Sequence, residues 1–135
     1  MSDGTAMLIG RGLRKSFGPT PALRGVDMSV RAGELVAVMG PSGSGKSTLL
    51  TIAGTLEDPS DGEVLIGDRV VAGVSRNDRA RLRRRSIGYV FQDFNLIPGL
   101  TAVENVALPL ELDGVRARAA RAAALEALSR LDVVE

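Results

Sequence analysis

Cysteine and histidine are both missing from these 135 residues. The first absence excludes disulfides and thiolate metal sites, and it allows a reducing compartment. The second excludes imidazole acid–base chemistry, His-containing triads and His metal ligands. Lysine is scarce: Lys15 and Lys46 are the only two, so nearly all basic charge is arginine. With a formal net charge of +1, the chain has no electrostatic footprint for nucleic acid, and no nucleic-acid partner is expected. No apolar run reaches the roughly 20 residues of a membrane span. The N-terminus, Met1-Ser2-Asp3-Gly4-Thr5, lacks the basic-then-apolar pattern of a secretory signal, so the chain reads as soluble or peripheral. What is present, 44% apolar and 24% charged residues, suits one modest domain with its own core.

Met7 to Val30 reads as strands and turns, with Gly18-Pro19-Thr20-Pro21 breaking the pattern and Val26–Val30 alternating like a half-exposed strand. Leu35-Val36-Ala37-Val38-Met39 is a short continuous apolar run, as expected of a strand covered on both faces. Lys46 to Gly54 reads as a helix with Leu49, Leu50 and Ala53 on one face. Glu63–Gly67 and Ile87–Phe91 read as further strands, and Asp78 to Arg85 as a very basic helix with a solvated face. Thr101 and Glu104 have the spacing of a capping box, and Pro109 should kink or end the helix that follows. Val115 to Leu131 predicts a last helix with Leu125, Leu128 and Leu131 on a common side. Strands alternating with helices favour an α/β fold.

Between the apolar run and the first helix lies Gly40-Pro41-Ser42-Gly43-Ser44-Gly45-Lys46-Ser47, a complete G-x-x-x-x-G-K-[ST] phosphate-binding loop, or P-loop. Its glycines let backbone N–H groups turn inward and approach phosphate oxygens closely. The helix beginning at Lys46 contributes the positive end of its dipole. Lys46 supplies a point charge for β- and γ-phosphates, Ser47 a hydroxyl for a Mg²⁺ shell, and Thr48 can support the phosphates. Four matched positions arise by chance in roughly one chain of this length in a few hundred, and the strand–loop–helix context lowers that further. The ligand expected on these residues is a nucleotide, ATP with Mg²⁺.

Several motifs in the right order resemble the nucleotide-binding subunit of an ATP-binding cassette (ABC) transporter. They are Gly40 to Leu50, then Pro59-Ser60-Asp61-Gly62-Glu63-Val64, then Ile87-Gly88-Tyr89-Val90-Phe91-Gln92, then Asn95 to Val106. The last stretch is similar to the subgroup of lipoprotein-releasing, macrolide-export and antimicrobial-peptide-export ATPases. The resemblance runs from about Met7 to the end. It implies a P-loop NTPase core of ABC type with an N-terminal antiparallel β subdomain and the start of a helical subdomain, incomplete at the C-terminus. On that basis residues 1–92 hold the β subdomain and P-loop core, and residues 93–135 the Q-loop and the start of the helical subdomain. Phe17 falls where the family stacks an aromatic, most often tyrosine, on adenine. Gln92 matches the Q-loop glutamine, which joins the Mg²⁺ shell or positions water. Phe94, Leu96, Ile97 and Leu100 fall where a membrane permease is touched, and a local core is the competing reading of these four.

The family's signature motif, Walker B strand with its catalytic glutamate, and switch histidine have no counterpart here. The resemblance therefore implies the N-terminal part of a longer protein, marginal in isolation. The full protein would energise an exporter at the cytoplasmic face of the cell membrane, held there by its permease and paired with a second nucleotide-binding subunit. The alternative is a module that binds nucleotide or permease without turnover.

Overall fold

A computed structural model describes residues 6–133. They fall into two compact units, one ending at Arg83 and one beginning at Arg84.

The first unit is built on a four-stranded antiparallel sheet of order β2-β1-β3-β4. Strand β1 (Ala6–Phe17) and strand β2 (Thr20–Arg31) form a hairpin whose last pair is Phe17 with Thr20, around a Gly18-Pro19 turn. β3 (Asp61–Ile66) pairs with the other edge of β1, and short β4 (Arg69–Val70) pairs with β3. One irregularity in β1 is felt by both neighbours. Between Gly10 and Leu13 the register slips against β2, and between Arg11 and Arg14 it slips against β3. A bulge of this kind re-aims the side chains that follow it. Leu13, just past it, is fully buried. Gly62 lies opposite with φ 90°, and a Cβ there would stand 2.5 Å from the Arg11 carbonyl, so only glycine fits.

Helix α1 (Lys46–Ala53) lays Leu49 and Ile52 against this sheet, where they join Leu13, Leu23, Val64 and Val71 in the core. Leu50, expected on the buried face, is about half exposed, and Ile52 takes its place. α1 closes in a Schellman motif: Leu56 N donates to Thr51 O and Thr55 N to Ile52 O. The left-handed position of that motif, normally glycine, is Thr55 at φ 58°. Thr55 is 2% exposed, and its hydroxyl has no partner among the described residues.

Basic helix α2 (Arg76–Ser86) has no buried residue, as a solvated helix should. Four of its six arginines are nonetheless engaged. Arg79 pairs with Asp58, and Arg83 donates to the Thr55 carbonyl at 2.8 Å. Arg84 and Arg85 both reach Asp113. The charge run thus works as a set of staples rather than as a free cationic face.

The second unit centres on helices α3 (Ala102–Leu112) and α4 (Ala117–Ser129). Val103 and Ala107 of α3 meet Ala120 and Ala124 of α4, with Leu128 packed beside them. The buried stripe of α4 therefore runs through Ala120, Ala124 and Leu128. Leu125 and Leu131, expected on it, are exposed. Small residues allow close approach of two helices, and alanine is easily overlooked as a core residue when leucines are nearby. Pro109 does not end α3, which continues to Leu112. The missing Pro109 N–H forfeits only the bond to the carbonyl one turn back. The helix still closes through Asp113 N to the Pro109 and Leu110 carbonyls.

Two expected strands are not formed. Residues 35–39 and 87–91 lie outside any helix or strand, with Leu35 97% and Val90 96% exposed. An apolar run becomes a buried strand only if neighbours supply backbone partners and cover. Among the described residues no strand pairs with either segment.

Thr55→Gly should raise stability by about 1 kcal/mol, measured as a urea midpoint. It removes left-handed strain from a β-branched residue and a buried unpaired hydroxyl, partly offset by glycine's freedom in the unfolded chain. A lower midpoint would show that the threonine side chain makes an offsetting contact.

The capping box forms as the spacing predicts: Glu104 N donates to Thr101 Oγ1, and Thr101 N donates to Glu104 Oε2 at 2.7 Å. The Thr101 amide and then its hydroxyl pull the Glu104 pKa below the ordinary value. Desolvation opposes them and Arg121 adds to them. A carboxyl with a depressed folded-state pKa stabilises above its unfolded-state pKa, and that contribution is lost as pH falls through the folded-state value. Glu104→Gln should therefore lower Tm at neutral pH, with the two proteins converging in acid as the glutamate protonates.

Candidate functional site

The P-loop occupies residues 40–47 and leads directly into α1. Pro41 and Ser42 carry the loop outward and are exposed. Gly40, Gly43 and Gly45 all have positive φ, as a loop curling its amides inward requires. Gly45, at φ 90°, is the N-cap residue of α1. A Cβ on it would lie 2.5 Å from the Ala22 carbonyl of β2. The hairpin strand is therefore pressed against the loop, and no side chain can be inserted between them.

This N-cap has a chemical consequence. Glycine has no side chain to cap α1, and no side-chain capping hydrogen bond is made. The first intrahelical bond is Leu49 N to Gly45 O at 2.8 Å. The amides of Lys46, Ser47 and Thr48 precede it and belong to the set that a helix cannot satisfy internally. No acidic residue lies in the first turn. The result is a positive helix end with donors and no built-in anion.

Lys46 Nζ turns back over the loop, donating to the Gly40 carbonyl at 2.8 Å and the Pro41 carbonyl at 2.7 Å. Ser44 Oγ stands 3.5 Å away. The ammonium therefore both braces the loop and stands where an anion would meet it. The Ser47 side chain is exposed at the first turn, and Thr48 is half-buried one residue on. Beside the loop, Pro21 to Arg24, Val26, Gly43 and Ser44 line a cleft of ≈ 370 Å³.

Phe17 ends β1 and is 50% exposed. The hairpin turn separates it from Thr20, and two residues further on Ala22 touches Gly45. The end of the β1–β2 hairpin thus links the aromatic to the loop. Gln92 lies in the second unit, exposed at a bend outside any helix or strand, and makes no side-chain hydrogen bond among the described residues. Nearby, Asn105 ties the Ile97–Leu100 turn to α3: Ile97 N donates to Asn105 Oδ1 at 2.8 Å, and Asn105 Nδ2 donates to the Leu100 and Thr101 carbonyls. Phe94 projects from this segment 95% exposed.

The donor set fits a nucleotide polyphosphate with Mg²⁺. Free amides, a lysine and a helix N-terminus suit anionic oxygens, while Mg²⁺ commonly takes few protein ligands and draws the rest from phosphate and water. Among the described residues no group of three acids could hold a metal by itself. One residue that sequence reasoning passed over stands out beside Phe17. The Lys15 ammonium lies 5.3 Å from the centre of the Phe17 ring. A lysine two residues before an aromatic on one strand face was the available signal.

Known proteins resemble this chain along most of its length. The family described as ABC transporter matches residues 23–135. The lipoprotein-releasing system ATP-binding protein LolD of Cereibacter sphaeroides is 45% identical over 132 residues, covering 94% of this chain and 59% of that protein. The macrolide export ATP-binding/permease protein MacB of Marinobacter nauticus is 50% identical over 101 residues, covering 72% of this chain and 16% of that protein. The ATP-binding cassette MJ0796, solved as a dimer in a post-hydrolysis state with ADP and Pi, superposes with TM-score 0.85 at 40% identity. That match covers 96% of this chain and 59% of that one. The chain thus spans a little over half the length of the LolD proteins it matches. With the loop, the antiparallel sheet and the helical hairpin all in place, the chain belongs to the ABC transporter family.

Proposed function

We propose that this chain is the nucleotide-binding part of an ABC-type exporter ATPase, taking ATP with Mg²⁺ on the P-loop. The observation that carries the reading is the uncapped start of α1 at Gly45, with Lys46 closing the loop through its own carbonyls. In this reading the amides of the loop and of the first turn hold the phosphate oxygens. Lys46 exchanges a loop carbonyl for the β- and γ-phosphates. Ser47 offers its hydroxyl to the metal, Thr48 supports the phosphates and the Phe17 ring stacks on adenine. Bound Mg²⁺ supplies charge neutralisation at the β- and γ-phosphates. Gln92 completes the metal shell or orients water. LolD and MacB, by their names, serve lipoprotein release and macrolide export, and an export role is taken from that similarity.

The partners follow from the same similarity. The solved MJ0796 cassette is a dimer, which supports pairing of two nucleotide-binding subunits here. Phe94 and Leu96, exposed on a segment that Asn105 holds in place, supply an apolar surface for a membrane permease. No helix among the described residues is long and apolar enough to cross a membrane. In this reading the permease holds the chain at the cytoplasmic face. Residues 93–135 then begin the helical subdomain.

Titration of the protein with MgATP tests the reading. Lys46→Ala should weaken binding by at least about tenfold, since it removes a charged donor to phosphate. Unchanged affinity would overturn the assignment. Gly45→Ala should also abolish binding and cost about 2 kcal/mol or more in unfolding, because its Cβ collides with the Ala22 carbonyl at an unfavourable φ. If stability and affinity both survive that change, the loop does not work in the observed conformation.

A further inference from the structure

We infer that Lys15 is a positioning residue for Phe17, holding the aromatic ring in register with the P-loop helix. The inference rests on the reading of Phe17 as the base-stacking surface and adds the group that fixes it in place.

Lys15 is one of only two lysines, and its side chain is 14% exposed although it lies near the end of an edge hairpin. Its ammonium is held from three sides. Glu57 Oε1 stands 2.7 Å away, the Asp58 carbonyl accepts at 2.8 Å, and the Phe17 ring centre is at 5.3 Å. Glu57 and Asp58 follow directly on the Schellman motif that ends α1. Lys15 therefore joins the ring to the C-terminal end of the helix whose N-terminal end forms the P-loop.

The backbone on either side is stitched together as well. Ser60 N donates to the Arg14 carbonyl at 2.7 Å, and Ser16 N donates to Ser60 Oγ at 3.2 Å. Arg79 clamps Asp58 from α2. These bonds hold the main chain of residues 14–16 and touch no atom of the Phe17 ring. A phenylalanine half exposed at a strand end would sample several rotamers, and a base would have to select one. The ammonium favours the rotamer that keeps the ring over it. With that face occupied, the exposed part of the ring remains for a base. The cation also draws π density from the ring, which suits an electron-rich purine on the opposite face.

The test compares MgATP with Mg²⁺-tripolyphosphate, which has the phosphates but no base, on the full chain. The quantity read is the ratio of the two affinities. Lys15→Met keeps the aliphatic stem and removes the charge. It should lower the ratio about fivefold while leaving tripolyphosphate binding unchanged. Lys15→Arg should restore the ratio to within about twofold of the parent. Glu57→Gln, which removes the carboxylate partner and leaves Lys15 itself in place, should give an intermediate loss and covers the case in which Lys15→Met folds poorly. Phe17→Ala separates the two readings. If Phe17→Ala lowers the ratio and neither Lys15→Met nor Glu57→Gln does, the positioning role is overturned and base stacking stands. If Phe17→Ala leaves the ratio at the parent value, the stacking surface itself is wrong and the inference falls with it. Equal losses for both ligands would mean that Lys15 supports the fold only, which also overturns the proposal.

Discussion

The contact between Gly45 and the Ala22 carbonyl organises the nucleotide half of this molecule. A Cβ at Gly45 would stand 2.5 Å from that oxygen, so the residue must be glycine and the strand must pass where it does. Because the N-cap is glycine, α1 begins without a capping side chain and leaves the amides of its first turn open. At an N-cap with room for a side chain, a serine or aspartate would stabilise the helix by roughly a few tenths of a kcal/mol over glycine and occupy one of those donors. The absence of a cap therefore costs local stability, and that unspent hydrogen-bonding capacity is what an anion can use.

The other end of α1 is secured with corresponding care. The Schellman motif closes the helix, Arg83 takes the Thr55 carbonyl, and the turn from Glu57 to Ser60 is laced to β1 through Lys15, Arg14 and Ser16. Thr55 sits at the centre of this arrangement in a conformation that glycine would hold more easily. A helix with an open N-terminus gains its rigidity from such tertiary attachments rather than from its own eight residues, which are too few to be stable alone. The β1 bulge serves the same end by aiming Leu13 into the core on which Leu49 and Ile52 rest.

Much of this was legible before any coordinates. The P-loop, its helix, the Thr101–Glu104 capping box and the β3 strand are local, and each rests on a short-range rule of backbone geometry or hydrogen bonding. The failures share a different cause. Leu35–Met39 and Ile87–Phe91 have the apolar composition of buried strands, but a strand exists through its partners, and no described strand pairs with either segment. The buried stripe of α4 was assigned to leucines. The structure buries Ala120 and Ala124, because facing alanine and valine on α3 set the distance between the helices. The arginine run on α2 read as solvated charge, and nothing local could show that Asp58, Asp113 and the Thr55 carbonyl would meet it.

The division follows the range of the forces involved. The sequence by itself determined the phosphate-binding loop, the helix that starts there and the class of fold, since glycine placement, capping residues and apolar periodicity act over a few residues. The order of motifs along the chain was enough to indicate the ABC family. Only the tertiary structure decided that β2 presses on Gly45, that Lys46 folds back on the Gly40 and Pro41 carbonyls, and that Lys15 lies against Phe17 while gripping Glu57. The longest of these contacts, Lys15 to Glu57, joins residues 42 positions apart, and like that of Gly45 with Ala22 it depends on where the sheet and helix come to rest against a shared core.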